Sequence, residues 1–215
     1  MHVVVNAAIS VDGKLSSRRR EQIAISGPED FARVDRLRAE SDAVMVGVGT
    51  VLADDPSLTL DDERDGSTNP ARVVADSRGS TPTDARILDG RATTYLLASD
   101  AIPDDRRAAL TQAGATVIVA GEERTDLSTA LDVLAERGIE QLMVEGGGEL
   151  LFSLFAAGLV DELRVFVGPT VIGGRDAPTL VDGDGFVDEE RFPTLTLRDI
   201  EPIDDGVVLY WDVPE

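Results

Sequence analysis

The sequence of 215 residues contains no cysteine, which excludes disulfides, iron–sulfur clusters, thiolate metal sites and a cysteine nucleophile. It contains a single histidine, His2, so neither a Ser-His-Asp triad nor a histidine-rich metal site is expected. No apolar run approaches the ~20 residues of a membrane-spanning helix, and no basic segment precedes an apolar stretch at the start. We therefore expect a soluble, cytoplasmic protein with no metal and no membrane partner.

Basic residues are scarce as well: 20 stand against 41 acidic residues, and the formal net charge is −21. A field of that sign repels nucleic acid and anionic lipid, so we expect neither as a partner. Nineteen of the twenty cations are arginine and 26 of the acids are aspartate, a surface typical of proteins that work in concentrated salt. A GC-rich genome, which also favours arginine, and an ordinary acidic protein are the alternatives.

The chain has 42% hydrophobic residues, enough for one sizeable core. Their spacing predicts short strands that alternate with amphipathic helices. A capping box from Ser26 to Glu29 predicts the start of a first helix, in which Phe31, Val34 and Leu37 share a face. Strands are predicted at 2–9, 43–46, 72–75, 93–98, 115–120, 141–145, 162–167, 194–200 and 207–213, and further helices at 103–112, 126–137 and 149–157.

This alternation predicts an α/β fold with a mixed, mostly parallel sheet flanked by helices. The last predicted strands have no helices between them, so they are expected to form an antiparallel edge. Because the chain shows neither an internal repeat nor a low-complexity linker, we expect a single domain over residues 1–215.

Two glycine-rich turns follow buried strands. Gly146, Gly147 and Gly148 stand between a strand and a helix, where main-chain amides and a helix N-terminus suit a phosphate or pyrophosphate. The pattern is neither a P-loop nor a Rossmann fingerprint, and a plain strand-to-helix turn is the alternative.

The second turn, residues 47–56, carries Thr50, Asp54 and Asp55, and two such turns at strand ends are where a doubly wound sheet binds a ligand. Capping of the turn is the favoured role of Asp54 and Asp55, and a divalent-metal site is the alternative.

Lys14 is the only lysine of the chain and stands in an Asp-Gly turn directly after the first strand. At a surface position arginine would serve, as it does at the other nineteen cations. A compact ammonium with a transferable proton is something arginine does not supply, because arginine stays protonated. The residue is therefore a candidate proton donor, with chance retention as the alternative.

Taken together, these turns belong to a longer ordered set of motifs. The set comprises Asn6, Val11-Asp12-Gly13-Lys14-Leu15, Gly47-Val48-Gly49-Thr50-Val51-Leu52 with Asp54-Asp55-Pro56, Asn69-Pro70 before Arg72-Val73-Val74-Ala75-Asp76-Ser77, Glu145-Gly146-Gly147-Gly148, Gly158-Leu159-Val160-Asp161-Glu162, and Ile172-Gly173-Gly174 with Ala177-Pro178-Thr179. Over almost its whole length the sequence resembles the riboflavin-biosynthesis pyrimidine reductases. It is most similar to their stand-alone archaeal-type form, since the zinc deaminase fused to the bacterial form needs cysteines.

The resemblance implies a dihydrofolate-reductase-like fold and a homodimer. It implies an enzyme that uses NADPH to reduce the ribosylamino side chain of 2,5-diamino-6-ribosylamino-4(3H)-pyrimidinone 5′-phosphate to the ribitylamino form. Two alternatives are a reductase of the same fold that acts on the deaminated pyrimidine or a dihydropterin, and a non-catalytic nucleotide-binding protein. The latter would have no need of Lys14 or Glu145.

By the same resemblance, individual residues receive roles. Lys14 and Glu145 face the ribose as catalytic residues, and Glu145 either orients the sugar or pairs with Lys14. Arg38 and Leu58 bind substrate, with a solvated helix residue as the alternative for Arg38. The expected cofactor-binding residues are Gly146, Gly147, Gly148 and Leu150 for the pyrophosphate, Ala8, Thr50 and Asp54 for the nicotinamide half, and Ser77 and Arg78 for the adenosine ribose and its 2′-phosphate.

The sequence departs from the family pattern at two positions. Asp61 stands where bacterial members often carry a substrate-binding arginine, so that contact is not carried over. Gln22 replaces a serine of some relatives at the outer wall of the pocket.

Overall fold

The computed structural model describes residues 1–21, 23–60 and 68–214. Met1 and residues 35–143 form a first compact unit, and residues 2–34 with 144–215 form a second. The described elements are, in chain order, β1 (His2–Ser10), α1 (Pro28–Glu40), β2 (Ala43–Gly47), α2 (Val48–Asp54), β3 (Ala71–Ala75), a 3₁₀ turn (Arg86–Leu88), β4 (Thr94–Ala98), α3 (Asp104–Gln112), β5 (Ala115–Val119), α4 (Leu127–Glu136), β6 (Gln141–Gly146), α5 (Gly148–Ala156), β7 (Glu162–Gly168), a second 3₁₀ turn (Glu189–Arg191), β8 (Thr196–Ile203) and β9 (Gly206–Asp212). None of the described helices is long and apolar enough to cross a bilayer.

In the first unit, four neighbouring strands run in the order β5-β4-β3-β2, and all three pairs are parallel. The register places Val74 of β3 beside Val46 on one side and beside Leu96 on the other. All three side chains are at most 1% exposed. Continuous apolar runs of this kind are typical of parallel strands covered on both faces.

In the second unit, β1 pairs in parallel with β7, while β7, β9 and β8 follow in antiparallel order. One face carries a small core of Phe166, Ile203 and Val208, against which Ile25 and Tyr210 pack. The strand pairs therefore confirm a mixed, mostly parallel sheet with an antiparallel C-terminal edge. The strands and helices begin and end within three residues of their predicted bounds.

The N-terminus of α1 is capped differently from the prediction. The main-chain N–H groups of Glu29 and Asp30 donate to the carboxylate of Asp204, at 3.2 and 2.9 Å. The capping box at Ser26 is therefore wrong for this end of the helix, because the amide of Glu29 that Ser26 would bind is taken by Asp204. Gly27 makes the approach possible, since a Cβ there would lie 2.5 Å from Cγ of Asp204.

The buried face of α1 also differs from the prediction, since Phe31 is 53% exposed and the buried positions are Asp30, Arg33 and Leu37. Arg33 donates to Oδ1 of Asp30 and to Oδ1 of Asn6, both at 2.8 Å. A polar network thus occupies the helix face on which the apolar pattern placed phenylalanine. The bonds from Nε and Nη2 offset the burial of this guanidinium, while Nη1 is buried without a hydrogen-bond partner among the described residues.

Candidate functional site

Lys14 is half-buried in the turn that follows β1, and hydrogen bonds fix both its main chain and its side chain. Its N–H donates to Oγ of Ser10 at 3.0 Å, and its carbonyl oxygen accepts from the N–H of Ser10 at 2.9 Å. The ammonium Nζ donates to the carbonyl oxygen of Ala177 at 3.2 Å. Because an ammonium has three N–H donors, this bond leaves it able to donate to a ligand as well.

The three glycines are needed for two different reasons. Gly146 and Gly147 have φ angles of +149° and +100°, a conformation that side-chain-bearing residues rarely adopt. A Cβ at Gly148 would lie 2.7 Å from the carbonyl oxygen of Thr179, whereas a Cβ at Gly146 would meet nothing within 4 Å. The loop is thus packed tightly on one side and open on the other.

Gly148 is the first residue of α5, and no side chain of the described residues caps that helix. Its first main-chain amides can therefore serve an anion. Leu150 is 7% exposed, so we expect its contribution to come from its N–H and not from its side chain. An open glycine backbone that runs into an uncapped helix fits a pyrophosphate.

Within the second unit, Thr179 connects the Lys14 turn to the glycine loop. It forms an isolated antiparallel bridge with Lys14, and its carbonyl oxygen is the atom that packs against Gly148. Ala8 lies on β1 and Glu145 on β6, and both are half-buried. Ala8, Lys14, Glu145 and the glycine loop, which the sequence assigned to one site, thus lie in the same unit.

Arg38 and Leu58 belong to the first unit. Nη1 of Arg38 donates to the carbonyl oxygen of Thr59 at 3.4 Å. Leu58 has a φ of +51° and is 3% exposed, so its side chain is part of the core. A substrate contact at this position would use the main chain. The neighbouring Asp61 and, in the other unit, Gln22 lie outside the described residues.

Thr50 and Asp54 lie on α2, half-buried and exposed respectively. Asp55 ends that helix with a φ of +41°, and its Oδ1 accepts from the N–H of Arg86 at 2.8 Å. This supports capping as the role of Asp55. No group of three or more His, Cys, Asp or Glu side chains in the described ranges could hold a metal ion.

Ser77 and Arg78 follow β3, and their surroundings separate their roles. Oγ of Ser77 accepts from the N–H of Thr125 at 3.0 Å and lies 3.1 Å from Oγ1 of Thr125. Because Thr125 gives its hydroxyl proton to the carbonyl oxygen of Leu97, the proton between the two hydroxyls comes from Ser77. Arg78 is 71% exposed, with Nη2 3.9 Å from Oε2 of Glu123, so its guanidinium is accessible to an anion.

Sequence reasoning assigned no role to Thr125, to Ala177 or to Asp182. Thr125 is an unremarkable residue before a helix cap, and Ala177 acts through a main-chain carbonyl that every residue possesses. The one sequence signal for this region was the motif Ala177-Pro178-Thr179, which belongs to the ordered set but had no assigned role.

Comparison with known proteins identifies the family. A family model described as "RibD C-terminal domain" matches residues 1–209. The chain belongs to the RibD C-terminal domain family. This confirms the resemblance seen in the motifs.

Two similar members of the family are archaeal proteins named 2,5-diamino-6-ribosylamino-4(3H)-pyrimidinone 5′-phosphate reductase. The protein from Archaeoglobus fulgidus is 47% identical over 213 residues, which cover 95% of this chain and 94% of that protein. The protein from Methanothermobacter thermautotrophicus is 48% identical over 190 residues, or 87% and 86% of the two chains.

Two solved structures share the fold. RibD of Acinetobacter baumannii superposes with a TM-score of 0.83 at 26% identity, and the match covers all of this chain and 58% of that one. A pyrimidine reductase-like protein of Corynebacterium diphtheriae gives a TM-score of 0.84 at 18% identity, covering 100% and 92% of the two chains. The dihydrofolate-reductase-like fold expected from the sequence is confirmed.

Proposed function

We propose that this protein is the NADPH-dependent reductase that converts the ribosylamino side chain of 2,5-diamino-6-ribosylamino-4(3H)-pyrimidinone 5′-phosphate to the ribitylamino form. The observation that carries the proposal is the 47% identity with the Archaeoglobus fulgidus reductase over 95% of this chain. The local geometry supports it, because Lys14 and the glycine loop are held by one and the same segment.

The reaction needs a proton at a defined atom. Opening of the ribose breaks the bond between C1′ and the ring oxygen, puts a donated proton on the departing oxygen and leaves a protonated imine between C1′ and the amine nitrogen. Lys14 is the proposed donor of that proton, and its bond to the carbonyl of Ala177 orients the ammonium. Glu145, at the end of β6, orients the sugar. When bound, NADPH supplies the hydride that C1′ accepts.

Each unit, taken by itself, contains residues suited to part of a pyridine nucleotide. In the second unit, the open backbone at Gly146 and the amides at the start of α5 would hold the pyrophosphate. Ala8 in that unit, and Thr50 and Asp54 in the other, would line the nicotinamide half. Arg78 would bind the 2′-phosphate, and Ser77 would hold the loop through Thr125.

Substrate binding is assigned to two positions of the first unit. Arg38 would bind the 5′-phosphate, exchanging its 3.4 Å bond to the carbonyl of Thr59 for a charge-assisted one. The main chain at Leu58 would provide a further contact. On this proposal residues 1–215 act as one cytoplasmic reductase domain, its partners being the small-molecule substrate and a second copy in a homodimer.

The test is the oxidation of NADPH, followed at 340 nm in molar KCl, with the ribosylamino substrate. We expect turnover with this substrate and much less with its deaminated counterpart or with a dihydropterin. A higher kcat/KM for either of those would assign the protein to a different reductase. NADPH binding without oxidation in all three mixtures would make it a non-catalytic nucleotide-binding protein.

A further inference from the structure

The segment of residues 169–182, which follows β7, contacts both parts of the proposed site in the second unit. The carbonyl oxygen of Thr170 accepts from the N–H of Val11, and that of Pro178 accepts from the N–H of Leu15, at 3.0 and 2.9 Å. These bonds lie on either side of Lys14. The motifs Ile172-Gly173-Gly174 and Ala177-Pro178-Thr179 belong to this segment, and the first of them has no role in the proposed function.

Asp12 holds the part of the segment that contains the first motif. Its Oδ1 accepts from the N–H of Ile172 at 3.0 Å, and its Oδ2 accepts from the N–H of Gly173 at 2.7 Å. Two main-chain amides that converge on one carboxylate fix the position of the segment relative to the turn after β1.

The same carboxylate is linked to Lys14 through one residue. Oγ of Ser10 donates to Oδ1 of Asp12 at 2.6 Å and accepts from the N–H of Lys14 at 3.0 Å. The hydrogen bond from Ser10 and that from Ile172 lower the pKa of Asp12 to about 2. The carboxylate is therefore ionised and acceptor-only at any pH at which the enzyme would work.

The far end of the segment is tied to the glycine loop. Thr179 Oγ1 donates to Oδ1 of Asp182 at 2.7 Å, and the N–H of Asp182 donates to the carbonyl oxygen of Gly148 at 3.0 Å. Between the two ends, the carbonyl oxygen of Ala177 accepts the hydrogen bond of the Lys14 ammonium. The position of this carbonyl thus depends on anchors at both ends of the segment.

We propose that Asp12 is a positioning residue for Lys14, which anchors the 169–182 segment so that the carbonyl of Ala177 aims the ammonium at the substrate. The proposal rests on the proposed function for the role of Lys14. It gives the Asp12-Gly13 pair and the Ile172-Gly173 pair a joint role: the glycines allow the close turns, and the carboxylate joins them.

The test replaces Asp12 by asparagine, which has a similar shape. Its amide keeps one acceptor oxygen, so it cannot accept from Ser10, Ile172 and Gly173 as the carboxylate does. Since a small displacement of a catalytic group costs up to ~10²-fold in rate, we expect kcat to fall by about 10- to 100-fold. The Kd of NADPH should change less than about threefold. Asp132→Asn, on the exposed surface of α4, removes the same charge and should leave kcat unchanged.

A double-mutant cycle separates positioning from general damage to the fold. If Asp12 acts through Lys14, Asp12→Asn should lower kcat by less than about twofold when Lys14 is already alanine. A loss there as large as in the wild-type background would overturn the proposal, as would an unchanged kcat in the single variant. If Asp12→Asn does not fold, Ser10→Ala carries the same cycle, because it removes the hydroxyl that donates to Asp12 and accepts from the N–H of Lys14.

A second readout does not depend on catalysis. Lys14 is the only lysine, so the rate at which an amine-reactive ester acylates it can be followed by peptide mass spectrometry. We expect Asp12→Asn to raise that rate several-fold, because the ammonium loses its fixed acceptor, and Asp132→Asn to leave it unchanged. If the wild-type protein reduces no pyrimidine, the proposed function fails, while an unaltered acylation rate overturns the role of Asp12.

Discussion

At the scale of single residues, Lys14 offers the sharpest separation of chemistry from binding. If it donates the proton that opens the ribose, Lys14→Ala should lower kcat by ~10²–10⁴-fold, the usual range for general acid catalysis. NADPH affinity should stay within a few-fold, because the glycine loop is untouched. Steady-state kinetics and a direct NADPH titration measure the two effects.

Lys14→Arg is the matched control for charge. It keeps the positive charge but not a readily released proton, so kcat should stay low. Near-normal turnover of this variant, with the loss in Lys14→Ala confined to KM, would make Lys14 a binding residue only.

Arg78 determines the choice of coenzyme in the proposed function. Its exposed guanidinium should bind the 2′-phosphate, and a hydrogen bond with charged partners contributes roughly 1.5–3 kcal/mol. Arg78→Ala should therefore raise the Kd of NADPH by about 10- to 100-fold and hardly change the Kd of NADH. Fluorescence titrations of both coenzymes measure this, with Arg107→Ala on α3 as the control for a lost cation. Equal weakening of the two coenzymes would contradict the assignment.

The surroundings of Ser77 and Arg78 show which structural information a sequence motif carries and which it lacks. The motif placed both residues near a nucleotide. It did not contain the position of Thr125, 48 residues away, which uses both the acceptor and the donor of the Ser77 hydroxyl. The same holds for Lys14. Its residue type indicated proton chemistry, but its acceptor is the main-chain carbonyl of Ala177, which the sequence does not indicate. Residue types were predictable here and their partners were not.

At the scale of elements, the strands and helices could be predicted because alternation of apolar runs is a local signal. The first turn of α1 could not, because its cap comes from Asp204, 175 and 174 residues from the amides that it accepts. The prediction of the buried face of α1 was wrong for a related reason. Arg33 finds Asp30 and Asn6 as partners, so a guanidinium takes the position that periodicity alone gives to Phe31.

The cap of α1 gives a prediction for stability. Asp204→Gly keeps the left-handed backbone, whose φ is +50°, and removes the carboxylate that accepts from Glu29 and Asp30. Loss of a helix cap costs about 0.5–2 kcal/mol, so the midpoint of denaturant unfolding should fall accordingly. Asp205→Gly, at the next position of the same turn, should show a smaller change. Equal changes in the two variants would mean that the turn, and not the cap, matters.

At the scale of the whole molecule, net charge governs the response to salt. The Debye length is ~10 Å at 0.1 M salt and ~3 Å at 1 M, so repulsion among 21 excess negative charges is screened only in concentrated salt. We expect the melting temperature and the activity to fall as KCl is lowered from molar to about 0.1 M. Sucrose at equal osmolarity separates screening from solute exclusion. A melting temperature that stays constant over this range would contradict the prediction.

The division of the chain into two units has a consequence for its synthesis. β1 is synthesised before β7, and the residues of this edge of β1 find their partners 158 positions later, Val3 at Asp161 and Val4 at Glu162 of β7. At about 5–20 residues per second, the nascent β1 waits roughly 8–30 seconds for them. Residues 35–143, which form the first unit, are completed during that interval. The edge of β1 that pairs with β7 thus stays unpaired while residues 35–143 are made, so we expect this edge of the nascent chain to be a site that a chaperone binds.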